Sequence, residues 1–149
     1  MQRFLFLVTL LACAGANCPG TGGDGGSGRG SISAVYRAGA LEVLLDADEP
    51  PLALAATVRV DGTEITGSAL LGDAAAGRDL LRQKTTGSSQ LRFAVTDSRA
   101  LRVARQGVVV RIPVAVLPAH VVVDEISAAD GEGRTMELTG FDAAPGSAP

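Results

Sequence analysis

Alternation of apolar and other residues at every second position is the feature of this sequence that most constrains its fold. It runs through Leu41–Asp46, Leu52–Asp61 and Leu91–Val95. Side chains of an extended strand point alternately to its two faces, so each stretch predicts a strand with one face turned inward. Three further β-prone stretches are Val108–Val116, Val121–Ile126 and Arg134–Thr139. Pro113 within the first of these indicates an edge, a bulge or a bend.

Turn signals separate these strands and complete the predicted architecture. Asp61-Gly62 predicts a hairpin leading into a short strand over Thr63–Thr66. Two stretches favour short helices instead: Asp73–Gln83, capped by Asp73, and Ser98–Gln106, ended by Gly107. We expect an all-β fold, a single antiparallel β-sandwich of seven to nine short strands with one or two short helical connections.

The N-terminus has the pattern of an export signal. Arg3 precedes an apolar run, residues 4–12, that ends in small residues. Such a run makes a helix of roughly 14 Å, which is too short for a hydrocarbon core of roughly 30 Å. We therefore predict a signal peptide over residues 1–12.

Two cleavage sites remain open. Leu10-Leu11-Ala12-Cys13 resembles the lipobox of bacterial lipoproteins, which implies lipid attachment at Cys13. The alternative is cleavage after Ala16 by ordinary signal peptidase, which releases a chain starting at Asn17. We favour Cys13 because the apolar run ends directly at this residue. The other cysteine, Cys18, is left as a free thiol or an intermolecular partner.

The segment after Cys13 predicts a tether. Ala14 to Gly30 contains eight glycines in 17 residues and almost nothing that can be buried. We divide the chain into residues 13–30 as lipidated cysteine and tether, 31–142 as the β-sandwich domain, and 143–149 as a disordered tail. Such a tether suits a domain held at a membrane through its lipid anchor.

The composition argues against several functions. A net charge of −3 and a pI near 5.1 provide no positive field for nucleic acid. With one His, and both Cys within the first 18 residues, we expect no Cys/His metal site, no cysteine nucleophile and no cofactor. A small secreted hydrolase would have to use His120 as its base, paired with Asp124 or Glu125. We expect instead that His120 begins a strand and that the protein is not an enzyme.

Other polar clusters have structural interpretations beside functional ones. Carboxylates at Asp46, Asp48 and Glu49 could hold Ca²⁺, but strand-end charges in solvent are favoured. Asp130 and Glu132 fit a hairpin turn. Arginines at every third position from Arg99 to Arg105 would share a helical face and form a basic patch. Their set is Arg99, Arg102 and Arg105, beside Arg92 or Arg111.

The order of strands resembles that of cohesin-like domains. The stretches that carry the resemblance are ALEVLLDA, LALAATVRVDG, LRFAVTD, GVVVRIPVAV and ISAADGEGRTMELTG, between Gly39 and Gly140. The resemblance implies a jelly-roll β-sandwich, cohesin-like or immunoglobulin-like, that binds a protein partner. Val60-Asp61-Gly62 replaces the aromatic-rich phrase usual in that family, so no binding residues carry over.

These observations lead to an expected role as a non-catalytic binding lipoprotein of the bacterial cell envelope, with a protein partner. The alternative is a carbohydrate-binding surface module, which would need exposed aromatic rings. After the signal peptide the aromatic residues are Tyr36, Phe93 and Phe141, and we expect Phe93 to point into the core.

Overall fold

The computed structural model describes residues 28–78 and 80–147. These residues form strands and one short 3₁₀ turn, Asp73–Ala75. The strands are β1 Arg29–Arg37, β2 Ala40–Ala47, β3 Ala53–Asp61, β4 Leu70–Leu71, β5 Leu80–Thr86, β6 Gln90–Thr96, β7 Gln106–Pro113, β8 His120–Ala129, β9 Glu137–Thr139, β10 Phe141–Ala143 and β11 Gly146–Ser147. The expected all-β sandwich is confirmed.

The strands form two sheets. One has six strands in the order β11-β1-β2-β7-β4, with β9 also paired to β1, and the other has five in the order β10-β8-β3-β6-β5. Pairing is antiparallel throughout except where β1 pairs with β9 and β11, which run parallel to it. The predicted antiparallel sandwich is therefore confirmed with two parallel pairings, which arise where the chain returns to its first strand from the opposite sheet.

The core lies between the sheets and is built by the predicted alternation. Leu41, Val43 and Leu45 face inward from β2, while Leu91, Phe93 and Val95 face them from β6, all at most 1% exposed. Phe93 is the largest of the fully buried side chains, as its position in the alternation predicted. Burial of aliphatic and aromatic surface between the sheets supplies the main stabilisation of such a fold.

Of the two predicted helical connections, the first is confirmed only as the short 3₁₀ turn Asp73–Ala75, and the second is absent. In the first segment the turn Asp73–Ala75 has Gly72 at its N-cap and no side-chain cap, Gly77 has φ +76°, and β5 begins at Leu80. In the second, residues 98–105 form an irregular connection between β6 and β7. Pairing of β5 along the whole of β6 overrides the helix propensity of the alanine-rich sequence.

Three boundaries also differ from the sequence prediction. After Asp61-Gly62 the chain leaves its sheet, and the expected strand Thr63–Thr66 is reduced to one bridge between Ile65 and Val114. Pro113 ends β7 instead of interrupting it. The tail expected to be disordered, residues 143–149, contains the last residue of β10, which pairs with β8, and the whole of β11, which pairs with β1.

The predicted signal peptide and Cys13 lie outside the described residues, as does the tether up to residue 27. Within the described part of the chain, no helix is long and apolar enough to cross a membrane.

Candidate binding face

His120 begins β8, as the sequence predicted, but its partner is a different one. Its Nε2 lies 2.6 Å from Oδ1 of Asp142 on β10. The proposed pairing with Asp124 or Glu125 was wrong, since both carboxylates contact Arg59 on β3. Both His120 and Asp142 are open to solvent, so this pair closes the end of the sheet without lining a cleft.

Two of the three carboxylates at the end of β2, Asp46 and Asp48, are engaged in contacts within the protein. Asp46 Oδ1 accepts a hydrogen bond from Gln106 Nε2 at 2.7 Å, and Asp48 Oδ1 accepts one from the Arg29 backbone N–H at 2.6 Å. Among residues 28–78 and 80–147, no group of three His, Cys, Asp or Glu side chains is placed to hold a metal ion.

The predicted basic patch does not form, because the helix that would align its arginines is absent. Arg99 turns back onto Asp97, with Nη2 2.9 Å from Oδ2. Arg102 lies against Gly131, and Arg111 belongs to the other sheet, where it contacts Glu42.

Asp130 organises the turn after β8, as predicted for Asp130 and Glu132. Its Oδ1 accepts hydrogen bonds from the backbone N–H groups of Glu132 and Arg134, and its Oδ2 accepts one from Arg134 Nε at 2.7 Å. Burial acts to raise the pKa of Asp130, but these hydrogen bonds outweigh it and hold the pKa below its ordinary value. The same contact raises the pKa of Arg134. The cluster is structural.

A different surface has the features of a binding site: the outer surface of β5, β6, β3 and β8, which we call the binding face. Its floor, at the end nearest the start of β3, is made of small side chains. They are Ala53 and Ala55 on β3, Ala94 on β6, and Ser127 and Ala129 on β8. Two adjoining shallow depressions of about 330 and 280 Å³ open over this floor and share Ala55 and Ala94. Small side chains bring the backbone close to the surface, so a partner can approach it closely.

Three cations border the floor on the side of β5. Arg82 pairs with Ala94, and Lys84 pairs with Arg92, so all three basic side chains lie on the outer surface. All three are exposed, and none of them forms an ion pair with a carboxylate of the described residues. The chain therefore carries a local positive patch in spite of its net negative charge.

A bulge in β8 supplies the opposite charge in the middle of the binding face. Glu125 has φ +48°, and the register between β3 and β8 shifts by one residue beside it. Its Oε2 accepts a hydrogen bond of 2.6 Å from the hydroxyl of Thr57, which is fully buried. Arg59 contacts both Asp124 and Glu125. Both acids therefore contact a cation, whereas the three cations beside the floor contact no carboxylate of the described residues.

On the outer surface of the six-stranded sheet, charged side chains pair with one another. Arg111 Nε donates to Glu42 at 2.9 Å, and its Nη2 donates to Asp73 at 3.3 Å. The hydrogen bonds that Arg111 donates to Glu42 and Asp73 raise the pKa of Arg111 above its ordinary value. This surface is held by an internal network.

Sequence analysis missed the binding face because two of its three cations lie in a segment that was predicted to be a helix followed by a loop. Arg82 and Lys84 were assigned to the predicted helix or to the loop after it. Their spacing of two was the available signal: Arg82, Lys84 and Thr86 alternate with Leu81, Gln83 and Thr85 as in a solvent-facing strand.

Comparison with solved structures places the fold beside cohesins. A non-cellulosomal cohesin from Archaeoglobus fulgidus matches with a TM-score of 0.57 and 13% identity, over 78% of this chain and 90% of that one. The sixth cohesin of scaffoldin B from Acetivibrio cellulolyticus, solved with a Cel5 dockerin, matches with a TM-score of 0.59 and 12% identity, over 80% and 99%. A type I cohesin from Clostridium thermocellum, in the Coh-OlpC-Doc435 complex, gives 0.57 and 7%, over 82% and 95%.

No protein-family model matches the sequence, and neither does any curated protein. The structural likeness shows that the domain has a cohesin-like fold.

Proposed function

We propose that this domain is a non-catalytic module that binds a protein partner through the binding face. The observation that carries the proposal is the small-residue floor bordered by Arg82, Lys84 and Arg92, three exposed cations without an ion pair among the described residues. A flat apolar floor beside uncompensated charge suits a partner with an apolar contact surface and acidic residues at its rim. Two of the similar structures were solved as complexes with dockerins, which supports a protein partner.

The environment of His120 supports a non-catalytic role. General-base catalysis needs the imidazole within hydrogen-bond reach of a nucleophile or a substrate pocket. The described contacts of His120 are instead with Asp142, on the exposed end of the sheet. A hydrolase built on this histidine therefore has little support in the geometry.

A glycan partner is also less well supported. Stacking on sugars requires flat aromatic faces open to solvent. Phe93 is in the core, and Tyr36 and Phe141 are half-buried against it. The described residues therefore offer no exposed aromatic platform for a sugar.

We further propose that the protein is exported and anchored in the bacterial cell envelope by lipid on Cys13. The support is the short apolar run that ends at Cys13 and the glycine-rich segment between it and the start of β1 at Arg29. Mass spectrometry of the mature protein tests this: a lipidated Cys13 at the N-terminus is expected. An unmodified chain that begins at Asn17 would overturn the anchor and leave the binding proposal standing.

The binding proposal is tested by capture from envelope extract with paired variants. Ala94→Arg fills the floor, and Ser33→Arg places the same side chain on the outer surface of the other sheet. Arg92→Glu reverses a cation of the patch, and Arg105→Glu reverses an exposed cation elsewhere. A captured protein should lose about tenfold or more in affinity with Ala94→Arg and Arg92→Glu, and little with the two controls. Equal binding by all four variants, or retention of the domain by polysaccharide gels without any captured protein, would refute the proposal.

A further inference from the structure

The two sheets differ in how their edges are protected. Strands at the edges of a sheet expose unpaired backbone groups, and proteins usually keep such strands short. In the described part of the chain, β4 and β11 have two residues each, and β9 and β10 have three. The remaining edge, β5, has seven residues and pairs with β6 alone.

The register identifies which backbone groups of β5 are free. The Val60 N–H donates to the Ser89 carbonyl directly opposite it, at 2.9 Å. The backbone N–H and C=O groups of successive residues in a strand point to opposite sides. In β6, those of Arg92 and every second residue from it therefore point toward β5. The residues of β5 that lie opposite them, such as Lys84, direct their N–H and C=O groups toward β6. The N–H and C=O groups of Leu81, Gln83 and Thr85 therefore point away from β6, toward the open edge.

Nothing in the described structure covers this edge. Residues from Gln83 to Thr86 are exposed, and no described backbone hydrogen bond reaches β5 from any segment other than β6. Gln83 uses its side chain on the other side, where its amide bonds to the backbone N–H and C=O of Ala69 at 2.7 and 3.2 Å. This contact fixes β5 to the start of β4 and leaves the Gln83 backbone free.

The charged side chains beside the open edge of β5 indicate which kind of strand could pair with it. Arg82 and Lys84 lie on the outer surface of β5, beside Arg92 on β6. A second copy of β5 pairing in antiparallel fashion would place Arg82 and Lys84 of the two copies on the same surface, and like charges on facing strands are destabilising. A strand with Glu or Asp at alternate positions would place its carboxylates next to these cations instead.

We propose that an extended acidic segment of a partner protein adds to the five-stranded sheet as a strand antiparallel to β5. Main-chain hydrogen bonds to Leu81, Gln83 and Thr85 supply affinity, and carboxylates beside Arg82 and Lys84 supply specificity. This inference rests on the proposed protein-binding role and extends it from the binding face to the edge beside it.

Amide hydrogen exchange followed by NMR tests the geometry directly. The probe is a synthetic peptide as long as β5, seven residues, that alternates Glu with Thr or Val. Its binding should slow exchange of the Leu81, Gln83 and Thr85 amides, while those of Arg82 and Lys84, already bonded to β6, change little. The same peptide with Lys in place of Glu should give no protection.

A proline variant separates strand addition from attraction by charge alone. Thr85→Pro removes an outward N–H without breaking the ladder to β6, whereas Thr85→Val retains that N–H. Affinity for the acidic peptide should fall about fivefold in Thr85→Pro, as expected for the loss of one hydrogen bond, and stay unchanged in Thr85→Val. An unchanged melting temperature in both variants shows that the fold is intact.

Three outcomes would overturn the inference: acidic peptide binding without protection of the outward amides, equal affinity in Thr85→Pro and Thr85→Val, or a dimer through β5 in sedimentation. Loss of the captured protein in Ala94→Arg but not in Thr85→Pro would leave the binding face as the site and remove only the strand addition.

Discussion

The outer surfaces of the two sheets differ in what happens to their charges. On the six-stranded sheet, Arg111 lies between Glu42 and Asp73, and Glu42 is only 8% exposed. On the five-stranded sheet, Arg82, Lys84 and Arg92 have no ion pair within the described residues. Side chains that form ion pairs within the fold contribute to its stability. Exposed charged side chains without an ion pair are available to contact a partner. Under the proposed function, the surface of the six-stranded sheet is structural and that of the five-stranded sheet recognises the partner.

The largest effect on stability is expected from substitutions in the core, to which both sheets should contribute equally. Leu41 on β2 and Leu91 on β6 are both fully buried, one from each sheet. Leu41→Ala and Leu91→Ala should each lower the free energy of unfolding by about 2–5 kcal/mol in urea titrations, through lost burial and a residual cavity. If only one of the two substitutions lowered the free energy of unfolding, the two sheets would not contribute equally to the core.

The next test separates the two charge networks. Glu42→Ala removes the buried partner of Arg111 and should lower the melting temperature by a few degrees. Arg92→Ala should leave it unchanged, because this side chain is exposed and without an ion pair. Thermal melting followed by circular dichroism measures both variants. An equal change of melting temperature in the two variants would contradict the proposed difference between the two surfaces.

Low pH should destabilise the turn that follows β8. This turn leads toward β9 and so connects the two sheets. The pKa of Asp130 is lower in the folded chain than its ordinary value of 3.8. Its contribution to stability is therefore complete above that value and is lost as the pH falls through the lower, folded-state pKa. Urea titrations over this acid range should show a smaller pH dependence for Asp130→Asn than for the wild type. Identical curves would contradict a structural role for this carboxylate.

The smallest expected effect concerns the β1–β2 hairpin of the six-stranded sheet. Ala38 and Gly39 both have positive φ, +49° and +80°, as in a type I′ turn. Ala38→Asn should raise the free energy of unfolding by about 0.5–1 kcal/mol, since asparagine tolerates this conformation better than alanine. Ala38→Val should lower it, because a branched side chain fits poorly there. The opposite order in urea titrations would contradict the turn assignment.

The strands were predictable where one face is buried and the other is not. The alternation in β2, β3 and β6 reports burial directly. The structure confirms it throughout β6, and in β2 and β3 except at Glu42 and Thr57, which are buried although they occupy outward positions. β5 was not predictable in this way, because its outer surface and most of its inner side are exposed and only Leu81 among the residues 81–86 packs on the core. With no apolar alternation to report the strand, the alanines before it favoured a helix, and long-range pairing with β6 decided otherwise.

The binding face could not be predicted from the sequence because it depends on the same long-range strand pairing. Arg92 and Ala94 were recognised as outward positions of a strand, but their neighbours across β5 and β8 are distant in sequence. Pairs such as Lys84 with Arg92 and Ala55 with Ser127 arise from sheet order, which local patterns do not specify. The arginines that sequence spacing did align, Arg99 to Arg105, required a helix that does not form.

The placement of β1 bears on how the domain would carry mechanical load. The chain enters β1 at Arg29, and this strand pairs with β2 over eight residues and also with β9 and β11. A pull on the entering chain along the strand axis would load these ladders in shear, so that many hydrogen bonds resist together instead of opening one after another. If the module is held at its N-terminus and pulled through its partner, that force would reach the fold at a strand that pairs with three others.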